Sequence, residues 1–389
     1  MELLGGVADS VVSFVVFLQD YAIPFLIAIT VLVFVHEMGH YLVARWCGVR
    51  VEVFSVGFGR EIWGRTDSRG TRWKLGWIPI GGYVKMFGEM FPPAGDRSAE
   101  PGPSAADERV SFHTKPLWRR AAIVFAGPFA NFLFAAALMA GIFATIGELS
   151  TPSNITAVVE GSAAERAGLK PGDVIRRIDG TEIDRFEQVA RIVRMSAGIR
   201  LEIEVERDGR LVALVAVPDE VRQEGAAGSQ KIGRLGVSRS GGGVTVVRHD
   251  PGEAALRGIA ETFRIVGEIF RAIGQMLSGA RDASDLGGPL RIAQISGDVW
   301  QAGLLSMVAF VATLSINLGL INLFPIPLLD GGHLMFYAVE AVTGRPPGER
   351  VREYGYRMGI AMLLGLMVFV TWNDLLELRV VDFFVGLVT

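Results

Sequence analysis

Four stretches of the chain, at about residues 21–44, 119–147, 302–324 and 357–379, approach the roughly 20 apolar residues that cross a bilayer's hydrocarbon core. No other feature constrains the fold as much. Within lipid a backbone must satisfy its own hydrogen bonds, and helices or closed barrels are the forms that do so. Runs of this length predict helices. The second is the clearest: Ala121 to Ile146 carries no charged residue and directly follows the basic pair Arg119 and Arg120. The fourth carries Asp374 and Glu377 near its end.

Composition agrees, since 50% of the 389 residues are apolar. The net charge of −3 comes without a basic face or helix, so nucleic acid is not expected as a partner. A single cysteine, Cys47, excludes an intramolecular disulfide and a four-thiolate metal site, so any metal must be held by His and carboxylate. Glu2 and Asp9 stand where a removable signal peptide would be basic, and the first apolar run is expected to stay. Orientation follows from Lys and Arg, which are retained on the cytoplasmic side of spans. Arg45, Arg50, Arg60, Arg65, Arg69, Arg72, Lys74, Lys85, Lys115, Arg119 and Arg120 separate the first two runs, and Arg345, Arg350, Arg352 and Arg357 precede or open the fourth. Both connections are expected in the cytoplasm, with the termini and the 150–300 segment on the opposite side.

Between the runs the pattern changes. Residues 49–88 alternate apolar residues with glycine and aromatics and predict short strands in a sheet. The tract 91–108 is rich in Pro, Ala, Gly and acidic residues and predicts a flexible linker. Residues 152–220 combine a strand, a helix from near Ser162, a Gly-Leu-Lys-Pro-Gly-Asp turn, a helix over FEQVARIVRMS and the alternating strand LEIEVERDG. This segment, and GLKPGDVI most of all, resembles a PDZ domain, which implies binding of an extended peptide or C-terminus as an added strand. Residues 253–280 place Leu256, Ile259, Phe263, Ile265, Ile269, Phe270 and Ile273 largely on one helical face, suited either to the outer leaflet or to packing on the soluble domain.

The first run also contains VLVFVHEMGHYLVARW. His36 and His40 fall one turn apart on one helical face, so both imidazoles reach one ion, while Glu37 can address a water that the ion activates. Ionisable groups inside a span are expensive to bury and mark function. A catalytic zinc takes three protein ligands and leaves a position for water. The third candidate is Asp330, the sole carboxylate of INLFPIPLLDGGHL. Pro325 and Pro327 are expected to break the helix there, and Gly331 and Gly332 to allow an unusual backbone that turns the aspartate inward.

HEMGH, IPIGGYVKM, AGPFANF and NLFPIPLLDGG, in that order, resemble the site-2 protease family of intramembrane zinc metalloproteases, nearest its bacterial RseP-type branch. The likeness covers nearly the whole chain. It implies that His36, His40 and Asp330 bind one Zn2+ and that Glu37 activates water. It also implies that Asn322 and Pro325 handle substrate near the metal, and that Gly57-Phe58-Gly59 and Gly82-Tyr83-Val84-Lys85-Met86 line or pair with an unfolded substrate segment. The implied substrate is a single-span membrane protein already trimmed by an upstream protease, such as an anti-sigma factor, with remnant signal peptides as a further class. The implied location is the bacterial inner membrane, with the termini and the PDZ domain periplasmic and the active site toward the cytoplasm.

The expected fold is a multi-span α-helical membrane protein of about four spans, with a cytoplasmic membrane-associated β-sheet and an inserted α+β PDZ domain. Its parts are a first span with HEMGH (1–48), a β-rich loop region (49–118), a second span (119–148), the PDZ domain (150–222), a linker with amphipathic helices (223–300), a third span with the LDGG motif (301–333), and a connection with the fourth span (334–389). Two departures from the family pattern stand out. Residues 221–250 are too short and Gly-rich for a second PDZ copy, and His113 follows Phe112 where the family commonly has Asn. His113 and His249 are read as histidines without a metal role, and so is His333, although it lies close enough to the motif to support a ligand. A membrane-anchored PDZ adaptor or chaperone with a structural metal is the alternative function. A zinc transporter is a third, disfavoured because one HExxH and one Asp provide no relay of polar residues across the membrane.

Overall fold

The computed structural model describes residues 18–88, 105–150, 153–183, 185–225, 228–238, 245–279 and 287–377. Most of the predicted linker 91–108 lies outside them, and its last residues belong to a short helix. In chain order, helix α1 (Ile23–Trp46) is entered through a π-helical turn and is followed by β1 (Val51–Thr66), β2 (Arg72–Met86), α2 (Ala105–Val110) and α3 (Leu117–Thr145). A run of small elements comes next: β3 (Glu148–Ser150), β4 (Ala157–Val158), α4 (Ala163–Arg166), β5 (Val174–Ile178), β6 (Thr181–Glu182) and α5 (Phe186–Met195). It continues with β7 (Leu201–Arg207), β8 (Arg210–Ala216), β9 (Asp219–Gly225), β10 (Gly228–Arg234), β11 (Val237–Ser238) and β12 (Thr245–Val247). The chain closes with α6 (Pro251–Leu277), α7 (Pro289–Gln301), α8 (Leu304–Leu323), α9 (Asp330–Thr343) and α10 (Glu349–Glu377). Among the described residues, four helical stretches are long and apolar enough to cross a membrane: Leu18–Trp46, Leu117–Thr145, Leu304–Leu323 and Glu349–Leu376. These match the four apolar runs.

The chain divides into two compact units. The first holds α1, the β1–β2 sheet, most of α3, and α7 to α9 with most of α10. Small residues set its helix spacing. A Cβ on Gly39 would lie 2.7 Å from the Ala130 Cβ and 2.8 Å from the Ala126 carbonyl carbon, so α1 and α3 approach backbone to backbone. Beside this contact β1 and β2 bend back on themselves, so that their one sheet is more than two strand segments wide. Val53–Val56 has Lys85–Gly82 along one edge and Arg72–Leu75 along the other, and Trp63–Thr66 pairs outside Arg72–Leu75. The root of the sheet is anchored by Phe54, which stacks on Trp73 at 4.5 Å between ring centres and meets Tyr41 of α1 edge-on at 5.7 Å. Phe58, Ile62, Trp63, Trp77 and Ile78 remain exposed, an apolar surface suited to lipid.

The second unit contains the four-stranded antiparallel sheet β6-β5-β7-β8. LEIEVER alternates as expected of a half-buried strand: Leu201, Ile203 and Val205 are buried with Ile175, Ile178, Val189, Ile192 and Val193. Ser162 caps α4 by accepting from the Glu165 N–H. The turn before β5 is locked by Asp173, whose carboxylate accepts the Lys170 N–H at 2.8 Å and a two-pronged Arg207 guanidinium at 2.7 Å on each oxygen. Residues 223–225, 228–234 and 237–238 form strands in place of the expected linker. They complete the hairpin β9–β10 and supply β11, which pairs with β4, and Leu235 enters the buried cluster. Charged residues and glycines interrupt the period-2 pattern of this hairpin. Tertiary contact stabilises it instead: β10 approaches α5 so closely that a Cβ on Gly233 would collide with the Val193 carbonyl.

Candidate metal centre

The first unit brings His36, His40 and Asp330 together from residues nearly 300 positions apart. The two histidine Nε2 atoms are 3.2 Å apart, and Asp330 Oδ2 lies 3.2 Å from His36 Nε2 and 3.5 Å from His40 Nε2. Ligands bound tetrahedrally at about 2.0–2.1 Å stand about 3.3–3.4 Å from one another, so the three atoms are spaced as zinc requires. Asp330 Oδ2 is buried and makes no hydrogen bond in the protein. An orphaned carboxylate oxygen aimed between two imidazoles is costly unless a cation takes it. Among the described residues, no other cluster of three His, Cys, Asp or Glu is spaced for one ion.

Local structure explains how each ligand is held. His40 Nδ1 lies 2.8 Å from the Ile123 carbonyl of α3. That contact makes Nδ1 the protonated nitrogen and leaves the Nε2 lone pair facing the other ligands. Pro128 interrupts the α3 hydrogen-bond ladder just beyond this point. Gly127 clears the space: a Cβ there would stand 2.5 Å from His40 Cε1 and 2.9 Å from His36 Cε1. Asp330 opens α9, where a carboxylate is favoured by the helix dipole.

The turn that delivers Asp330 differs from the expectation. Gly331 and Gly332 are helical, and the unusual backbone is at Leu328, with φ of 128°. The glycines are required for proximity, since a Cβ on Gly331 would strike the Leu323 and Phe324 carbonyls and one on Gly332 would reach within 2.6 Å of the Pro327 Cα. The chain after α8 doubles back so tightly that α9 starts against the end of its predecessor. A left-handed leucine is strained, and such strain persists where the surroundings over-determine it.

A cavity of about 300 Å³ opens beside the three ligands. Glu37, Tyr83, Val84, Met86 and Asn322 line it, together with His113, Arg120, His333, Glu340, Arg352 and Tyr356. The Val84 main chain lies beside the Glu37 carboxylate, and a Cβ on Gly82 would lie 3.4 Å from Glu37 Cγ. One edge of the β1–β2 sheet therefore runs directly past the glutamate. The other residues assigned to substrate handling lie elsewhere. Pro325 is exposed, Lys85 pairs with Glu52 at 2.9 Å, and Phe58 stacks on Tyr83 at 6.1 Å between Gly57 and Gly59, two left-handed glycines that bend β1. His113 lines the cavity but is not part of the ligand cluster, and His333 Nδ1 is 3.5 Å from the Tyr356 hydroxyl. Residue-level reading missed the contributions of α3 (Ile123 O, Gly127 and Asn131) and the Arg120–Glu340 pair at 2.6 Å, because backbone acceptors and clearances carry no side-chain signature.

Comparison with known proteins agrees with this chemistry. The profile of Peptidase family M50 matches residues 24–366. A protein of Agrobacterium fabrum named as a candidate zinc metalloprotease is 43% identical over 366 residues, 93% of this chain and 97% of its own. A protein of Brucella suis with the same kind of name is 44% identical over 359 residues, 91% and 94% of the two chains. Metalloprotease MmpA of Caulobacter vibrioides is 38% identical over 391 residues, 94% and 98% of the two chains. With the family profile spanning most of the sequence and near full-length relatives above 40% identity, this chain belongs to peptidase family M50, the membrane-embedded zinc metalloproteases.

Proposed function

We propose that this protein hydrolyses a peptide bond within or near the transmembrane segment of a single-span membrane protein that an upstream protease has already shortened. The observation that carries the reading is Glu37. It lines the cavity beside the three candidate ligands, and one edge of the β1–β2 sheet passes it at Gly82 and Val84.

His36, His40 and Asp330 would hold one zinc ion. Bound there, zinc supplies Lewis acidity toward water and the scissile carbonyl. Glu37 then accepts a proton from the attacking water and returns it to the leaving amine nitrogen. A helical substrate resists hydrolysis because its carbonyls are bonded and shielded, so it must unwind first. The edge formed by Gly82, Tyr83, Val84, Lys85 and Met86 offers main-chain groups to an extended strand, which holds the unwound segment across Glu37. Asn322 lines the same cavity and supplies an amide for the substrate backbone. Pro325, Gly57, Phe58 and Gly59 act at one remove, by shaping the turn and the sheet.

We assign residues 150–222, extended through β11, to a PDZ-type module. A groove lined by Val159, Phe186, Val189, Val193, Leu235 and Val237 supports peptide binding there. With the basic connections in the cytoplasm, this module and both termini lie on the periplasmic side of a bacterial inner membrane, where it docks a trimmed C-terminus or excludes bulky intact substrates. The adaptor reading, with a metal kept for structure, is less favoured because a structural zinc is closed by four protein ligands and this centre has three.

The test compares purified wild type with Glu37→Gln in detergent, on a truncated single-span reporter, with bound zinc measured in both. Cleavage by wild type and none by a zinc-replete Glu37→Gln is the expected outcome. Zinc in both proteins, with no cleavage of several such reporters, would move the adaptor reading ahead.

A further inference from the structure

Asn131 lies on α3 two turns from Ile123 and one from Gly127, so a single stripe of that helix faces the histidine pair. It is fully buried, and Nδ2 of its amide stands 3.2 Å from His36 Nδ1 while Oδ1 has no hydrogen-bond partner. Its position is fixed from the far side. Ser315 of α8 donates to the Asn131 carbonyl at 2.9 Å, and Gly319 passes so close that a Cβ there would lie 3.2 Å from the Asn131 Cβ.

These contacts leave two arrangements, because the two ends of an asparagine amide are assigned by the hydrogen bonds they make. If Nδ2 donates to His36 Nδ1, the imidazole proton must sit on Nε2, pointing at His40 Nε2 and Asp330 Oδ2. If the amide is turned by half a rotation, Oδ1 accepts the proton of His36 Nδ1, and the Nε2 lone pair is free toward the same atoms. Only the second arrangement leaves His36 Nε2 able to bind a cation shared with His40 and Asp330.

We propose that Asn131 is a positioning residue for the metal centre: its amide oxygen accepts the Nδ1 proton of His36, which fixes the ring and makes Nε2 the ligand. The Ile123 carbonyl does the same for His40, so α3 sets the tautomer of both histidines of α1 with one side chain and one main-chain oxygen. This deepens the proposed function, since it rests on a cation bound by His36, His40 and Asp330.

The test is the zinc affinity of the full-length protein in detergent, by competition with a chromophoric chelator, for wild type, Asn131→Ala and Asn131→Asp. Asn131→Ala should bind zinc about 10- to 100-fold more weakly, the usual cost of losing a partner behind a ligating histidine. Asn131→Asp, whose carboxylate accepts the same proton, should return affinity to within a few-fold of wild type. Wild-type affinity in Asn131→Ala overturns the inference, and so do equal losses in the two variants, which would make Asn131 a packing residue. A wild type that binds zinc but cleaves no reporter defeats the protease reading while the affinities still decide Asn131. A wild type that binds no zinc defeats both.

Discussion

Gly127→Ala should weaken zinc binding without replacing a ligand. The added Cβ would stand 2.5 Å from His40 Cε1, closer still to His40 Nε2, and 2.9 Å from His36 Cε1. Carbon atoms in contact settle about 3.5–4.0 Å apart, so the His40 ring must retreat by about 1 Å. Functional metal–ligand distances hold to within about 0.2 Å, and His40 cannot retreat and keep both the ion and its bond to the Ile123 carbonyl. The helices cannot part easily either, because Gly39 already seats α1 on Ala126 and Ala130. Overpacking of this kind costs about 1–3 kcal/mol. Zinc affinity should therefore fall by about 10- to 100-fold, the range that 1–3 kcal/mol converts to and that disturbing a ligand's surroundings causes. The assay is zinc content and chelator competition on detergent-purified protein, with Gly141→Ala on the same helix as control, since a Cβ there meets nothing within 4 Å. The control should bind zinc as wild type does. A Gly127→Ala protein that keeps one zinc at wild-type affinity would refute the argument that clearance at this glycine admits the histidine pair.

Two further outcomes follow from side chains away from the ligands. Arg120 and Glu340 join α3 to α9 through a largely buried ion pair at 2.6 Å, so Arg120→Met or Glu340→Leu should each cost about 2 kcal/mol in thermal unfolding, with the double variant less than additive. Strict additivity would show that the two side chains do not interact. In the second unit, burial alone would raise the Asp173 carboxyl, but the Arg207 fork and the Lys170 N–H outweigh it and hold it below its ordinary value. A carboxyl lowered by folding stabilises the protein above its unfolded pKa of about 3.9 and loses that contribution as pH falls through the folded pKa. Hydrogen-exchange protection of β5 and β7 in the full protein should therefore weaken below about pH 4 in wild type, and more shallowly in Asp173→Asn; identical acid limbs would exclude this pair as the cause.

The four apolar runs, the HEMGH turn and a distant Asp330 were legible in the sequence because each rests on local rules. Hydrophobic length specifies a span, and a spacing of four specifies one helical face. The alternation of LEIEVER and the glycine-bounded turn before Asp173 were legible for the same reason. What only the tertiary structure decided depends on close approach between segments far apart in sequence. Gly331 and Gly332 read as sources of an unusual backbone, yet the left-handed residue is Leu328, and the glycines serve the contact of α9 with the end of α8. The β9–β10 hairpin has too little periodicity of its own and takes its place by lying on α5. The support behind the metal ligands was hidden most completely. A backbone carbonyl at Ile123 and a missing Cβ at Gly127 leave no mark on the side-chain pattern, and Asn131 becomes informative only when packing brings its amide to His36. Sequence determined which groups could bind an ion, and packing decided which nitrogen of each histidine would face it.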